Sequence, residues 1–126
     1  MTSTDKKVSN PLRSKYPGIT PAIAANGIEE ALQVLAGRWK IIILTNLFRH
    51  GTLRFSELEK LIPGVTQKML IQQLRELERD GIVARVVYAV VPPKVEYSLT
   101  DSGKALCPAL DALLEWAVNR QASNQG

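Results

Sequence analysis

The sequence predicts an α+β fold, mainly helical: a winged helix-turn-helix with an additional helix at each end. Three observations predict it. Residues 55–80 hold two amphipathic segments separated by Pro63-Gly64, the second closed by Gly81. Residues 83–91 and 94–99 are rich in β-branched side chains, with Val95, Tyr97 and Leu99 alternating against Glu96 and Ser98. Val91-Pro92-Pro93 between them reads as a hairpin tip, because proline withdraws N–H groups from pairing. Helix, turn, helix, hairpin is the order in which one helix can enter a DNA groove while a hairpin flanks it.

Taken in order, residues 1–20 are polar, with Pro11 and Pro17 inside and Pro21 just beyond, and predict a flexible basic arm. The folded domain is expected over 21–120, and 121–126 are expected to be a disordered tail. A first helix is predicted from Ile28 to Leu35, with Ile28, Ala31, Leu32 and Leu35 on one stripe. Ala36-Gly37 interrupts it. Arg38–Arg49 is apolar nearly all round, so it is expected as the central helix, with the run Ile41–Leu44 buried. His50-Gly51 marks its end, and Thr52-Leu53-Arg54 predicts a brief strand. Ser56 followed by Glu59 has the spacing of a capping box for a third helix, with Leu58, Leu61 and Ile62 on its buried side.

The fourth helix, Thr66 to Asp80, is the informative one. At about 100° per residue, Leu70, Leu74 and Leu77 form one stripe. Lys68, Gln72, Arg75 and Arg79 fall opposite, with Ile71 and Glu76 at the flanks. Thr66 is a natural N-cap, and Gln67 follows it in the first turn, where N–H groups and the positive helix end suit a phosphate. Glutamine and arginine make bidentate contacts to adenine and guanine edges, and Ile71 suits a thymine methyl. The same residues are also ordinary surface helix formers. Arg54 before the third helix, and Arg85 and Lys94 on the hairpin, are placed for backbone phosphates.

The last helix is predicted from Thr100 or Asp101 to about Asn119. Leu106, Leu110, Leu113 and Ala117 repeat at near-heptad spacing, with Leu114 and Trp116 beside them. Together with Ile28, Leu32 and Leu35 they are more apolar surface than a small winged helix covers, so a two-fold homodimer is expected. Cys107 beside Leu106 is expected to be a small buried hydrophobe.

Composition narrows the functions. The chain has 126 residues, enough for one domain, and its single cysteine excludes both an intramolecular disulfide and a cysteine-only zinc site. No apolar run reaches the ~20 residues that span a bilayer, and the N-terminus lacks a secretory pattern, so no membrane partner is expected and the cytoplasm is the predicted location. Residues 38–96 hold ten Lys/Arg against six Asp/Glu, whereas 101–126 hold two against three. Basic charge thus concentrates in the reading unit, as a polyanion-binding face requires. Catalytic residues, a metal site and a cofactor are not expected: His50 stands at a helix end, and Glu57/Glu59 and Glu76/Glu78/Asp80 at i+2 spacing do not converge.

The segments GRWKIIILTNL, LRFSELEKLIPGVTQKMLIQQLRELERDGIV and PPKVEYSLTDSGKAL together resemble the HxlR-type winged helix-turn-helix regulators, relatives of the MarR group. The resemblance runs from about Asn26 to Trp116. It implies a homodimeric prokaryotic transcription regulator that dimerises through its first and last helices and binds double-stranded DNA. Several redox-sensing members carry a cysteine just before the first helix, where this chain has Asn26, and asparagine forms no thiolate. A sequence-specific regulator acting as a repressor on a palindromic operator is therefore expected, with any small-molecule effector unidentified. The alternative is a winged helix used for protein–protein contact.

Overall fold

The computed structural model describes residues 17–125, so nearly all of the expected N-terminal arm lies outside the described residues. The chain divides into two compact units at Ala36-Gly37. The first contains α1, Pro21–Val34. It begins seven residues before the expected Ile28, because the Thr20 hydroxyl accepts from the Ile23 N–H at 3.2 Å and Pro21 occupies the first turn. Asn26 therefore lies inside this helix, not ahead of it. No residue of α1 is buried, and Ile28 and Leu32 are more than half exposed. Leu35, expected on the same outward stripe, is instead buried in the single chain.

The second unit runs α2 (Arg38–His50), β1 (Leu53–Arg54), α3 (Phe55–Leu61), α4 (Gln67–Arg79), β2 (Val83–Tyr88), β3 (Lys94–Leu99), α5 (Asp101–Ala105) and α6 (Cys107–Gln125). In α2 the inward stripe is Lys40, Ile43, Leu44 and Leu47, the i, i+3, i+4, i+7 set. Ile41 and Ile42 are off that stripe and exposed, so half of the apolar run expected to be buried is not. Gly51, at φ 84°, ends α2 by donating its N–H to the Leu47 carbonyl at 2.9 Å, with His50 in the last turn.

The α3 cap also differs from expectation. Arg54, not Ser56, is the capping position, and its N–H donates to the Glu57 carboxylate at 2.7 Å. The cap lies two residues earlier than expected, at the end of β1, which puts Glu57, not Glu59, three residues inside. Leu58 and Ile62 are buried, but Leu61 is exposed. The turn to α4 contains Gly64 at φ 90°. Thr66 caps α4 as expected, its hydroxyl accepting from the Met69 N–H at 3.1 Å. At the other end Ile82 N–H reaches Leu77 carbonyl at 2.9 Å and Gly81 N–H reaches Glu78 carbonyl at 3.0 Å, a Schellman closure.

The three strands form one antiparallel sheet in the order β1-β3-β2. Tyr97 pairs with Leu53 on one side and Arg85 on the other, so β3 is central and buried at Tyr97 and Leu99. β2 stops at Tyr88, three residues short of the expected Val91. Leu70, Leu74 and Leu77 pack into a core shared with Ile43, Leu44, Leu47, Leu58 and Val83.

The last helix is two helices. Pro108 has no N–H for the Lys104 carbonyl, and the chain breaks at Leu106 before restarting as α6. The stripe keeps its phase across the break, since Leu110 N–H still reaches the Leu106 carbonyl at 2.9 Å, and Cys107, about 100° round from Leu106, is exposed, contrary to the expected burial. α6 then continues to Gln125, through the residues expected as a tail.

Candidate nucleic-acid interface

The outward face of α4 follows from the inward one. Burial of Leu70, Leu74 and Leu77 turns Gln67, Lys68, Ile71, Gln72, Arg75, Glu76 and Arg79 into one open groove wall. Ile71 is 37% exposed on this face. The Thr66 hydroxyl serves Met69, and the N–H groups of Gln67 and Lys68 stand at the positive end of α4.

The wing adjoins this face. Arg75 of α4 and Arg85 of β2 line the same hollow with Phe55, Ile71, Glu78, Val95 and Tyr97. A second hollow, between the wing tip and the start of α3, includes Arg54, Phe55 and Lys94. Of the residues predicted for DNA contact, Gln67, Lys68, Ile71, Gln72 and Arg75 lie on α4, Arg54, Arg85 and Lys94 line the two hollows beside it, and Thr66 caps α4.

The cations on this surface are not equivalent. Among the described residues, ion pairs engage Lys40 with Glu76, Arg79 with Asp80 at 3.7 Å, and Lys94 with Glu96 at 3.5 Å. Among the described residues, the side chains of Arg54, Lys68, Arg75 and Arg85 form no ion pair. Lys94 is more constrained than expected: its ammonium also sits 4.6 Å from the centre of the Tyr88 ring. A hydrogen bond to Glu96 and the charge of that carboxylate hold the Tyr88 phenol above its ordinary pKa.

Lys40 escaped the sequence reading. Its Nζ lies 2.6 Å from Glu76 Oε1, and the residue is only 6% exposed. The signal was present, since Lys40 completes the stripe of Ile43, Leu44 and Leu47. A lysine on a core stripe requires a partner. Hydrogen bonds from Lys40 and Gln72, then the Lys40 charge, lower the Glu76 pKa.

The predicted dimer residues divide. Leu113, Leu114 and Trp116 on α6 are more than half exposed, whereas Leu106, Leu110 and Ala117 are half-buried within the single chain. Among the described residues no cluster of His, Cys, Asp or Glu could hold a metal ion, and no single helix is long and apolar enough to cross a membrane.

A capped helix with a polar, cation-bearing outer face, beside a three-stranded wing whose free arginine shares a hollow with it, defines a winged helix-turn-helix DNA-binding transcription regulator. Residues 34–125 match the HxlR-like helix-turn-helix family, and the chain belongs to that family. It is 53% identical over 92 residues to the HTH-type transcriptional regulator YtcD of Bacillus subtilis strain 168, covering 73% of this chain and 72% of that one. A crystal structure of a MarR-family transcriptional regulator from Enterococcus faecalis V583 superposes with a TM-score of 0.79 at 36% identity, covering 86% of this chain and 97% of that one. The redox regulator HypR in its reduced form superposes with a TM-score of 0.72 at 46% identity, covering 79% and 99%.

Proposed function

We propose that this regulator acts as a homodimer on a two-fold symmetric operator, in the cytoplasm, and represses by occluding RNA polymerase. The observation that carries the reading is the outer face of α4, where unpaired Lys68 and Arg75, with Gln72 and Ile71, stand opposite a fully buried leucine stripe. In this reading Thr66, Gln67 and Lys68 meet phosphate at the helix start. Ile71, Gln72 and Arg75 read base edges, and Arg54, Arg85 and Lys94 hold the flanking backbone. Exposed Leu113, Leu114 and Trp116 on α6, and Ile28 and Leu32 on α1, support a second copy as their cover. Any small-molecule effector would act by shifting this DNA-binding equilibrium.

Selection of bound duplexes from a random-sequence pool, followed by salt titrations on the selected site, tests the reading. Gln72→Ala and Arg75→Ala are expected to cost about 1–3 kcal/mol on the selected site and to relax preference at single base positions. Arg85→Ala should weaken all duplexes alike and reduce the salt slope by about one. Lys94→Ala should do so to a smaller degree, since Glu96 already neutralises part of its charge. Equal losses on selected and random DNA from both groups would make α4 a non-reader. A flat salt dependence would favour a protein partner instead.

A further inference from the structure

We propose that Glu76, anchored by buried Lys40, is a positioning residue that sets the polarity of the Gln72 amide, so that this regulator reads adenine and rejects guanine at the Gln72 position. The proposal rests on Gln72 being a base reader, as argued above, and adds which base it reads and why. Lys40 Nζ approaches Glu76 Oε1 at 2.6 Å from the core side of α2. The other oxygen, Oε2, faces Gln72 Nε2 at 3.4 Å along the same helix face.

A carboxylate is only an acceptor. It therefore draws the NH2 end of the Gln72 amide inward and turns the carbonyl oxygen, Oε1, toward the groove. One NH2 hydrogen remains unused. An outward acceptor beside one outward donor matches adenine, whose major-groove edge presents the N6 amine and the N7 acceptor. Guanine presents two acceptors, O6 and N7, so the fixed carbonyl would face a carbonyl. An amide free to rotate by 180° could serve either base. Glu76 removes that freedom, and Lys40 fixes Glu76 while neutralising a charge that would otherwise oppose phosphate.

The test compares base preference in wild type, Gln72→Ala, Glu76→Ala and Glu76→Gln, each selected against the same random duplex pool, with thermal melting as the check on folding. Wild type is expected to favour adenine over guanine by about tenfold or more at one position per half-site, and Gln72→Ala to lose that preference there. Glu76→Ala should bring the adenine-to-guanine ratio at that same position toward one and leave other positions unchanged. Glu76→Gln keeps the shape of the side chain, and its amide can both donate and accept, so it too should lower the ratio. If Gln72→Ala relaxes the position while both folded Glu76 variants keep the wild-type ratio, the positioning role is overturned and base reading stands. The same holds if they weaken all sequences uniformly. If Gln72→Ala changes no position, Gln72 is not a reader and both readings fall. A wild-type preference for guanine there would overturn the polarity assignment alone.

Discussion

Gly103 of α5 lies so close to Ile82, the residue after the α4 closure, that a Cβ on Gly103 would overlap the Ile82 carbonyl oxygen. Thr100 ties the same two segments together. Its hydroxyl donates to the Gly81 carbonyl at 2.6 Å and accepts from the Gly103 N–H at 3.0 Å, while its own N–H reaches the Ile82 carbonyl at 3.0 Å. The C-terminal end of α4 is thereby held by the segment that follows β3.

Gly103→Ala is expected to destabilise the protein by about 1–3 kcal/mol, because backbone must move to admit one methyl. Gly27, inside α1, is the control: a Cβ there meets nothing within 4 Å. Gly27→Ala should stabilise by about 0.5–1 kcal/mol through helix propensity. Urea denaturation of the two variants would reveal opposite signs. The same sign for both would remove the close approach as the cause.

Introducing charge on α6 should produce monomers. Leu113 is 54% exposed and Trp116 is 63% exposed in the single chain, so Leu113→Glu with Trp116→Glu should leave the monomer fold intact. At a dimer interface the same carboxylates would be buried without partners. Sedimentation velocity is expected to show a wild-type dimer at micromolar concentration and a variant monomer with weakened operator binding. A monomeric wild type would rule out the two-fold arrangement.

Two ionisable groups give the stability profile opposite signs at its two ends. Glu76 has its pKa lowered, chiefly by the hydrogen bond from Lys40, so its stabilisation is present above the ordinary value of 4.5 and is lost as pH falls through the lower folded value. Tyr88 has its pKa raised, chiefly by the hydrogen bond to Glu96. Its contribution is present below 10.0 and is lost as pH rises through the higher folded value. Urea midpoints followed from neutral to acid should fall less steeply for Glu76→Gln than for wild type. Those followed into alkali should fall less steeply for Tyr88→Phe. Parallel curves at either end would exclude that pair as a contributor.

Oxidation should not switch this protein in the manner of a cysteine sensor at the start of the chain. The chain is similar to the redox regulator HypR, yet Asn26 offers no thiolate and lies within α1. Diamide is expected to leave operator affinity unchanged and to form no disulfide through residue 26. Cys107, exposed at the head of α6, is the alternative thiol. A loss of affinity on oxidation that Cys107→Ser abolishes would move sensing there.

Much of this molecule is local, and local structure was legible in the sequence. The Leu70, Leu74, Leu77 stripe, the Thr66 cap and the Gly81 stop depend on helix periodicity and on hydrogen bonds within a few residues. They defined α4 and, by exclusion, its outer face. The alternation of Val95, Tyr97 and Leu99 likewise marks β3 from its own residues alone. Where the reading missed, distant contacts or a competing local signal decided the outcome. Arg54 took the α3 cap because β1 pairs with β3 up to that residue. Cys107 is exposed because it lies one residue round from Leu106, off the half-buried line of Leu106 and Leu110. Leu35 is buried, whereas Ile41 and Ile42 are not, since burial depends on what packs beside a residue and not on its hydrophobicity alone. The Lys40–Glu76 pair joins residues 36 positions apart. Periodicity placed each on its own helix, but only the packing of α2 against α4 brings their charges together.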